Sequence, residues 1–280
     1  MKKNNELSLG FSPCPNDTFM FYGLVHGKIA TEGLSFGAPV LDDVEQLNLL
    51  ALQKKLDVTK LSFHALGHVL DEYCVLSSGS ALGRGCGPLL VTTGEGEKGS
   101  FAGRKIAIPG KLTTAALLLQ MYLEETCELV EMRFDLIMDA VSTGKVDGGV
   151  IIHESRFTYK EFGLTCVQDL GQWWENLTGM PIPLGCIAAR RSLGKKTIKA
   201  IERAVRASVA YGFQNSQECM PYIRRYSQEL APEVVQSHID LYVNEFSRDL
   251  GAQGLAAIDK FIAMGRENKV LPPGTQQITV

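Results

Sequence analysis

A histidine at the end of a buried-looking β-like run is the first residue of this chain with a chemistry to offer. The run Gly148 to Ile152 leads into His153-Glu154-Ser155-Arg156. In open α/β sheets the loops beyond the carboxyl ends of strands are where ligands bind. An imidazole titrates near neutral pH, so His153 suits general acid–base work; the alternative is a satisfied structural histidine. Three other loops share this strand-end placement. Thr59-Lys60-Leu61-Ser62 brings a cation and a hydroxyl. Pro109-Gly110-Lys111-Leu112-Thr113-Thr114 brings a tight turn and two hydroxyls opening a helix. That is a carboxylate or phosphate cradle, with Thr113 as a plain N-cap the competing role. Ser12-Pro13-Cys14-Pro15-Asn16-Asp17-Thr18 is stiffened by two prolines and ends at a helix N-terminus. Free N–H groups there suit an anion; otherwise the segment is a rigid turn capped by Asn16 or Asp17.

Other candidates are weaker. Arg84, in the glycine-rich stretch Gly79 to Gly87, can reach a substrate carboxylate or tie two lobes together. That stretch is neither a dinucleotide fingerprint nor a Walker loop, because it joins two strands without opening a helix and lacks a G-K-[ST] ending. Cys14 has no histidine near it in sequence to activate it. His64 and His68 are spaced i, i+4 without the glutamate of an H-E-x-x-H pattern, so no metal is expected there. His26 sits at a helix end, and His238 lies in an amphipathic helix. Trp173-Trp174 offers an aromatic wall or simple core packing.

These loops need a scaffold of alternating strands and helices. Strands are expected over Leu7 to Phe11, Leu34 to Leu41, Val58 to Leu61, Tyr73 to Leu76 and Leu89 to Thr93. Others follow at Lys105 to Ile108, near Leu129 to Arg133, and at Gly148 to Ile152, with helices between, one of them over Thr113 to Glu125. This rhythm predicts parallel sheets covered on both faces. The polar segment Gly94 to Ser100 is the expected crossing between lobes. Beyond Arg190, apolar stripes such as Ile198, Ile201, Val205 and Val209 predict amphipathic helices that return to the first lobe. The expected architecture is α/β with two lobes and a central cleft: residues 1–97 with 189–280, and residues 98–188.

The 280 residues suit two lobes, and 28 Lys plus Arg against 31 Asp plus Glu give a net charge of −3. No basic face for nucleic acid is expected, and no apolar run reaches the ~18 residues of a bilayer span. Seven cysteines, without a C-x-x-C pair, fit reduced thiols in a cytoplasmic protein.

Five strings then carry a resemblance: Ser12-Pro-Cys-Pro-Asn-Asp-Thr-Phe19, Thr59-Lys-Leu-Ser62, Gly83-Arg-Gly-Cys-Gly-Pro88, Ile151-Ile-His-Glu-Ser-Arg-Phe-Thr-Tyr159 and Pro181-Ile-Pro-Leu-Gly185. Over nearly its whole length the chain resembles the 1,4-dihydroxy-6-naphthoate synthase family of the futalosine route to menaquinone. The resemblance implies a fold like type II periplasmic binding proteins. It implies a carbon–carbon lyase that cleaves cyclic dehypoxanthinylfutalosine into 1,4-dihydroxy-6-naphthoate and a sugar-derived fragment, with no redox cofactor and no metal. It also implies His153 as proton acceptor and Lys60, Leu61, Ser62, Thr113 and Thr114 as substrate contacts. The partner is then a small-molecule carboxylate, with no nucleic acid and no membrane. Two rivals share the scaffold: a cytosolic carboxylate-binding protein, and the sister enzyme chorismate dehydratase, which lacks the first and fourth strings.

Overall fold

The alternating elements resolve into two mixed sheets, with a small parallel pair of Glu6–Leu7 and Ser35–Phe36 beside them, in a computed structural model that describes residues 6–94, 100–123, 126–227 and 231–280. The first sheet runs Val40–Leu41, Leu9–Phe11, Val58–Ser62, Ile182–Arg190, Tyr73–Val75, with Ala81–Gly83 also paired to Ile182–Arg190. The second runs Glu128–Glu131, Lys105–Ile108, Gly148–Ile151, Leu89–Thr93, Leu164–Asp169. Neither is the parallel sheet that the β–α rhythm predicts. Ile182–Arg190 is antiparallel to its neighbours in the first sheet, and Leu89–Thr93 to its neighbours in the second. Each reversed strand is one that adjoins a passage between sheets, so it enters from the opposite end.

The sheet changes between Gly83 and Leu89 and again between Asp169 and Ile182. The polar composition of Gly94 to Ser100 predicts the first crossing there, where residues 95–99 lie outside the described ones, and the return is expected near residue 188. A polar, glycine-rich composition marks a surface loop as readily as a passage between lobes, whereas the actual first passage, Arg84 to Pro88, is also glycine-rich but close-packed at Gly87. There, a Cβ on Gly87 would lie 2.3 Å from the Cα and 2.4 Å from the nitrogen of Gly171. The two passages touch backbone to backbone. We expect Gly87→Ala to wedge them apart at a cost of about 1–3 kcal/mol, read as a lower denaturant midpoint. An unchanged midpoint would refute that contact.

The C-terminal helices cover the first sheet from both sides. Ile198, Ile201, Val205 and Val209 of helix Lys195–Gln214 are buried with Leu9, Phe11 and Phe19, together with Val235 and Ile239 of Pro232–Tyr242. Helix Gly251–Glu267 sends Ala257, Ile258, Phe261 and Ile262 into another core. That core joins the lobes, because it includes Leu66 of the first and Leu117, Val150 and Trp174 of the second. Trp174 therefore belongs to the packing, its Nε1 donating to Pro181 O at 3.1 Å, rather than to a ligand wall. The helix expected over Thr113 to Glu125 is Thr114–Tyr122; residues 124–125 lie outside the described ones.

Candidate active site

Strand Gly148–Ile151 stops two residues short of His153, which has φ +57. A left-handed backbone is uncommon for a residue with a Cβ, and such strain gathers at functional sites. Arg156 anchors this turn to both passages, donating from Nη1 to Gly87 O and from Nη2 to Asp169 Oδ2, at 2.5 and 2.6 Å. Asp169 in turn caps helix Leu170–Thr178. The His153 ring meets Phe134 edge-on at 5.0 Å and stacks on His238 at 5.9 Å.

His153 lies between two cavities that both touch it. One, of about 630 Å³, is lined by Lys60, Ser62, Thr113, Thr114, Leu184 and Tyr242 among others. The other, of about 550 Å³, is lined by Cys14, Asp42, Asp43, Arg133 and Phe134. Five of the six residues singled out by family resemblance thus meet at one cavity. Leu61 does not: it is fully buried in the core, because successive strand side chains point to opposite faces and Lys60 and Ser62 take the cavity side.

The polar groups are less free than their residue types suggest. Lys60 Nζ is paired with Asp17, which is sealed from solvent and also accepts from Ser12 N, Ser12 Oγ and Asn16 Nδ2. Neither Asn16 nor Asp17 is the helix N-cap; Cys14 holds that position with Pro15 following, and Asp17 uses its carboxylate to brace the loop. Thr113 does cap, accepting from Ala116 N at 3.2 Å and donating to Gly110 O at 2.8 Å. Thr114 bridges the lobes, donating to Leu184 O at 2.6 Å and accepting from Phe63 N at 3.1 Å. Arg84 is outside the cavities, donating to Gly179 O at 2.7 Å and facing Glu175, so it ties segments together.

Ser62 is different. Asn48 Oδ1 accepts from Ser62 N at 3.0 Å, so Asn48 Nδ2 must be the partner of Ser62 Oγ at 3.2 Å. The serine oxygen accepts, and its own proton remains to give. Asn48 Nδ2 also reaches Glu45 and Leu112 O, while Leu112 N donates to Glu45 at 3.0 Å. Helix Val44–Leu52 thereby grips the loop before Thr113 from the other lobe.

Burial pushes His153 down to about 4, helped by Lys60 and opposed by Asp17. His64, whose Nδ1 is 3.1 Å from Thr113 O, is likewise pushed down to about 4 by burial. His238 is driven well below the usual value by burial, then by His153 and Lys60. Cys14 Sγ lies 3.9 Å from His153 Nε2, and burial followed by Glu154 holds the thiol protonated. It is therefore a neutral neighbour of the imidazole rather than a nucleophile.

Four imidazoles are lowered, those of His64, His153, His238 and the more exposed His68, and they predict acid sensitivity. The unfolded chain takes up protons from about pH 6.5 downward while the folded protein does not until about pH 4, so stability is complete above 6.5 and lost through that window. His64 alone contributes roughly 3 kcal/mol. Glu45 and Asp259, raised by burial, pull the other way, two carboxyls against four imidazoles. Thermal melts should fall between pH 6.5 and 4.5; a flat Tm there would contradict the neutral, buried state of these rings.

His238 and Tyr242, read in the sequence only as parts of an amphipathic helix, sit at i, i+4 on the same stripe as Val235 and Ile239, and a histidine inside an apolar stripe was the available signal for the site. Cys14, set aside as a nucleophile for want of a histidine nearby in sequence, meets one 139 positions away but stays protonated. Among the described residues no group of three or more His, Cys, Asp or Glu side chains could hold a metal, and no helix is long and apolar enough to cross a membrane.

Relatives align with nearly the whole chain. A 1,4-dihydroxy-6-naphthoate synthase of Thermus thermophilus is 47% identical over 274 residues, 98% of this chain and 99% of the relative. One of Streptomyces coelicolor is 43% identical over 95% of each chain. A solved protein of Archaeoglobus fulgidus superposes with TM-score 0.89 at 36% identity, covering 96% of this chain and all of its own. A Candida albicans protein described as having the generic periplasmic binding protein fold matches at TM-score 0.67 and 15% identity, covering 98% and 93%. The fold is therefore that of the periplasmic binding proteins. The family model for menaquinone biosynthesis matches residues 7–267, and the chain belongs to that family.

Proposed function

We propose that this protein is a 1,4-dihydroxy-6-naphthoate synthase, a cytoplasmic carbon–carbon lyase acting on cyclic dehypoxanthinylfutalosine with His153 as general base. One observation carries the reading: in a chain so similar to enzymes of that name, His153 stands strained and desolvated between two adjoining cavities. The cavity with Leu184 and Tyr242 suits a flat aromatic nucleus. The cavity with Asp42, Asp43 and Arg133 suits the hydroxyl-bearing remainder.

The aryl carboxylate needs donors. Thr114 and Ala115, the first two helical residues, line the cavity with Leu184 and Tyr242, and N–H groups there precede the first intrahelical acceptor. With the proton of Ser62 they form a neutral anion cradle. Lys60, committed to Asp17, contributes field rather than direct contact. An anion seated there raises the affinity of His153 for a proton, bringing a weakly basic imidazole toward the range useful for catalysis. His153 removes the proton, the cyclised ring opens, and aromatisation drives the release of the sugar-derived fragment.

Incubating the purified protein with cyclic dehypoxanthinylfutalosine should yield 1,4-dihydroxy-6-naphthoate by mass spectrometry. Dehydration of chorismate instead would assign the sister activity. Tight binding of aryl carboxylates without turnover of either substrate would make the protein a receptor.

A further inference from the structure

Beneath His153 runs a chain of polar groups whose donors and acceptors are fixed in order. Asp17, ion-paired with Lys60, only accepts, so the Asn16 nitrogen faces it, with Nδ2 2.8 Å from Oδ1. Asn16 Oδ1 is consequently turned to His238, and an amide oxygen also only accepts. His238 Nε2, 3.0 Å away, must carry a hydrogen. A neutral imidazole protonated at Nε2 has a lone pair on Nδ1, and that atom lies 3.5 Å from Glu154 Oε2. Both side chains are withdrawn from solvent, 1% and 12% exposed, where two lone pairs facing each other without a proton are costly.

We propose that Glu154 and His238 hold a single proton between them, and that this pair positions His153 for the base role assigned above. The inference rests on that role for its catalytic half only. The shared proton follows from the hydrogen-bond order together with the 3.5 Å approach of Glu154 Oε2 to His238 Nδ1.

The surroundings decide where the proton sits. His153 and Lys60 both oppose a positive charge on His238, and its burial does the same. Asp17, spent on Lys60, offsets little of this. Tyr242 presents its ring at 4.6 Å, and the Cys14 thiol near Glu154 is neutral. The favoured state is a protonated Glu154 donating to Nδ1 of a neutral His238. That ring is then a neutral plate, only 13° from parallel with His153, on which His153 can become cationic without a second cation beneath it. A charged His238 would repel the imidazolium formed during turnover.

The test joins a spectrum to kinetics in the full-length protein. With ¹⁵N-labelled histidine, His238 should show a protonated Nε2 and a hydrogen-bonded, unprotonated Nδ1 from pH 6 to 8. In Glu154→Leu that Nδ1 should shift to the position of an unbonded nitrogen. Glu154→Gln, whose amide donates as the acid does, should keep kcat within about threefold, while Glu154→Leu should lose about tenfold or more in kcat with KM little changed. A wild-type His238 protonated at Nδ1 alone, or equal losses in the glutamine and leucine variants, would overturn the proposal. Absence of naphthoate formation by wild-type protein would sink the assigned activity instead, and the spectrum would still decide the shared proton.

Discussion

Replacing His153 by alanine is expected to lower turnover of cyclic dehypoxanthinylfutalosine by about 10²–10⁴-fold while fold and naphthoate binding persist. The range is that of a positioned general base. Binding should survive because the groups proposed to receive the carboxylate are Ser62 and the helix starting at Thr114, on other elements. The pH dependence sharpens the expectation. In the free protein the imidazole is pushed down to about 4, so it stays unprotonated, and competent as a base, until pH falls to that value. The acid limb of kcat/KM, which reports the free enzyme, should lie near pH 4, or wherever unfolding intervenes first. The acid limb of kcat should lie higher, because a bound carboxylate favours the imidazolium. Coincident limbs would mean that the substrate's charge is not near His153. Activity within a few-fold of wild type in the alanine variant would remove this residue from the reaction.

The fold was legible wherever a pattern was local. The stripes Ile198, Ile201, Val205, Val209 and Val235, Ile239, Tyr242 are buried as their spacing predicts, because helical periodicity needs no knowledge of what lies opposite. Strand direction was not legible. Nothing in Leu89–Thr93 or Ile182–Arg190 distinguishes a strand running with its neighbours from one running against them, since apolar residues fill both faces either way. The passage at Gly87 hid for a related reason: its glycine answers to Gly171, more than eighty positions away, and close approach leaves no mark in composition.

At the candidate site, strand ends located the cavity and residue types named its visitors, but not their engagements. Lys60 read as a free cation because Asp17 lies on another strand–helix loop. Thr113 and Thr114 read as a pair of hydroxyls for a ligand, yet each spends its proton on a carbonyl, Gly110 and Leu184. Ser62 keeps its proton only because Asn48, unremarked in the sequence, is oriented by Ser62's own backbone. Side-chain pairing over long separations is what a single sequence withholds.

The Lys60–Asp17 pair supplies the other large effect, on stability. Lys60→Met should destabilise the protein by about 3–5 kcal/mol, because it strands a carboxylate in a dry interior rather than because the pair itself is strongly stabilising. Asp17 would keep its bonds from Ser12 N, Ser12 Oγ and Asn16 Nδ2, which lessen but do not cancel the loss of a counter-charge. Asp17→Asn should cost a similar amount by stranding the ammonium. The two variants must then answer pH in opposite directions. Acid relieves Lys60→Met by protonating the orphaned carboxylate, so its deficit against wild type shrinks as pH falls. Alkali relieves Asp17→Asn by removing the ammonium's proton, so its deficit shrinks as pH rises. Urea unfolding of both variants from pH 5 to 9 measures these slopes. Lys60→Met combined with Asp17→Leu removes both charges and should recover much of the loss. Parallel slopes for the single variants would mean that truncated packing, not stranded charge, sets the cost, and the buried field assigned to this pair beside His153 would have to be abandoned.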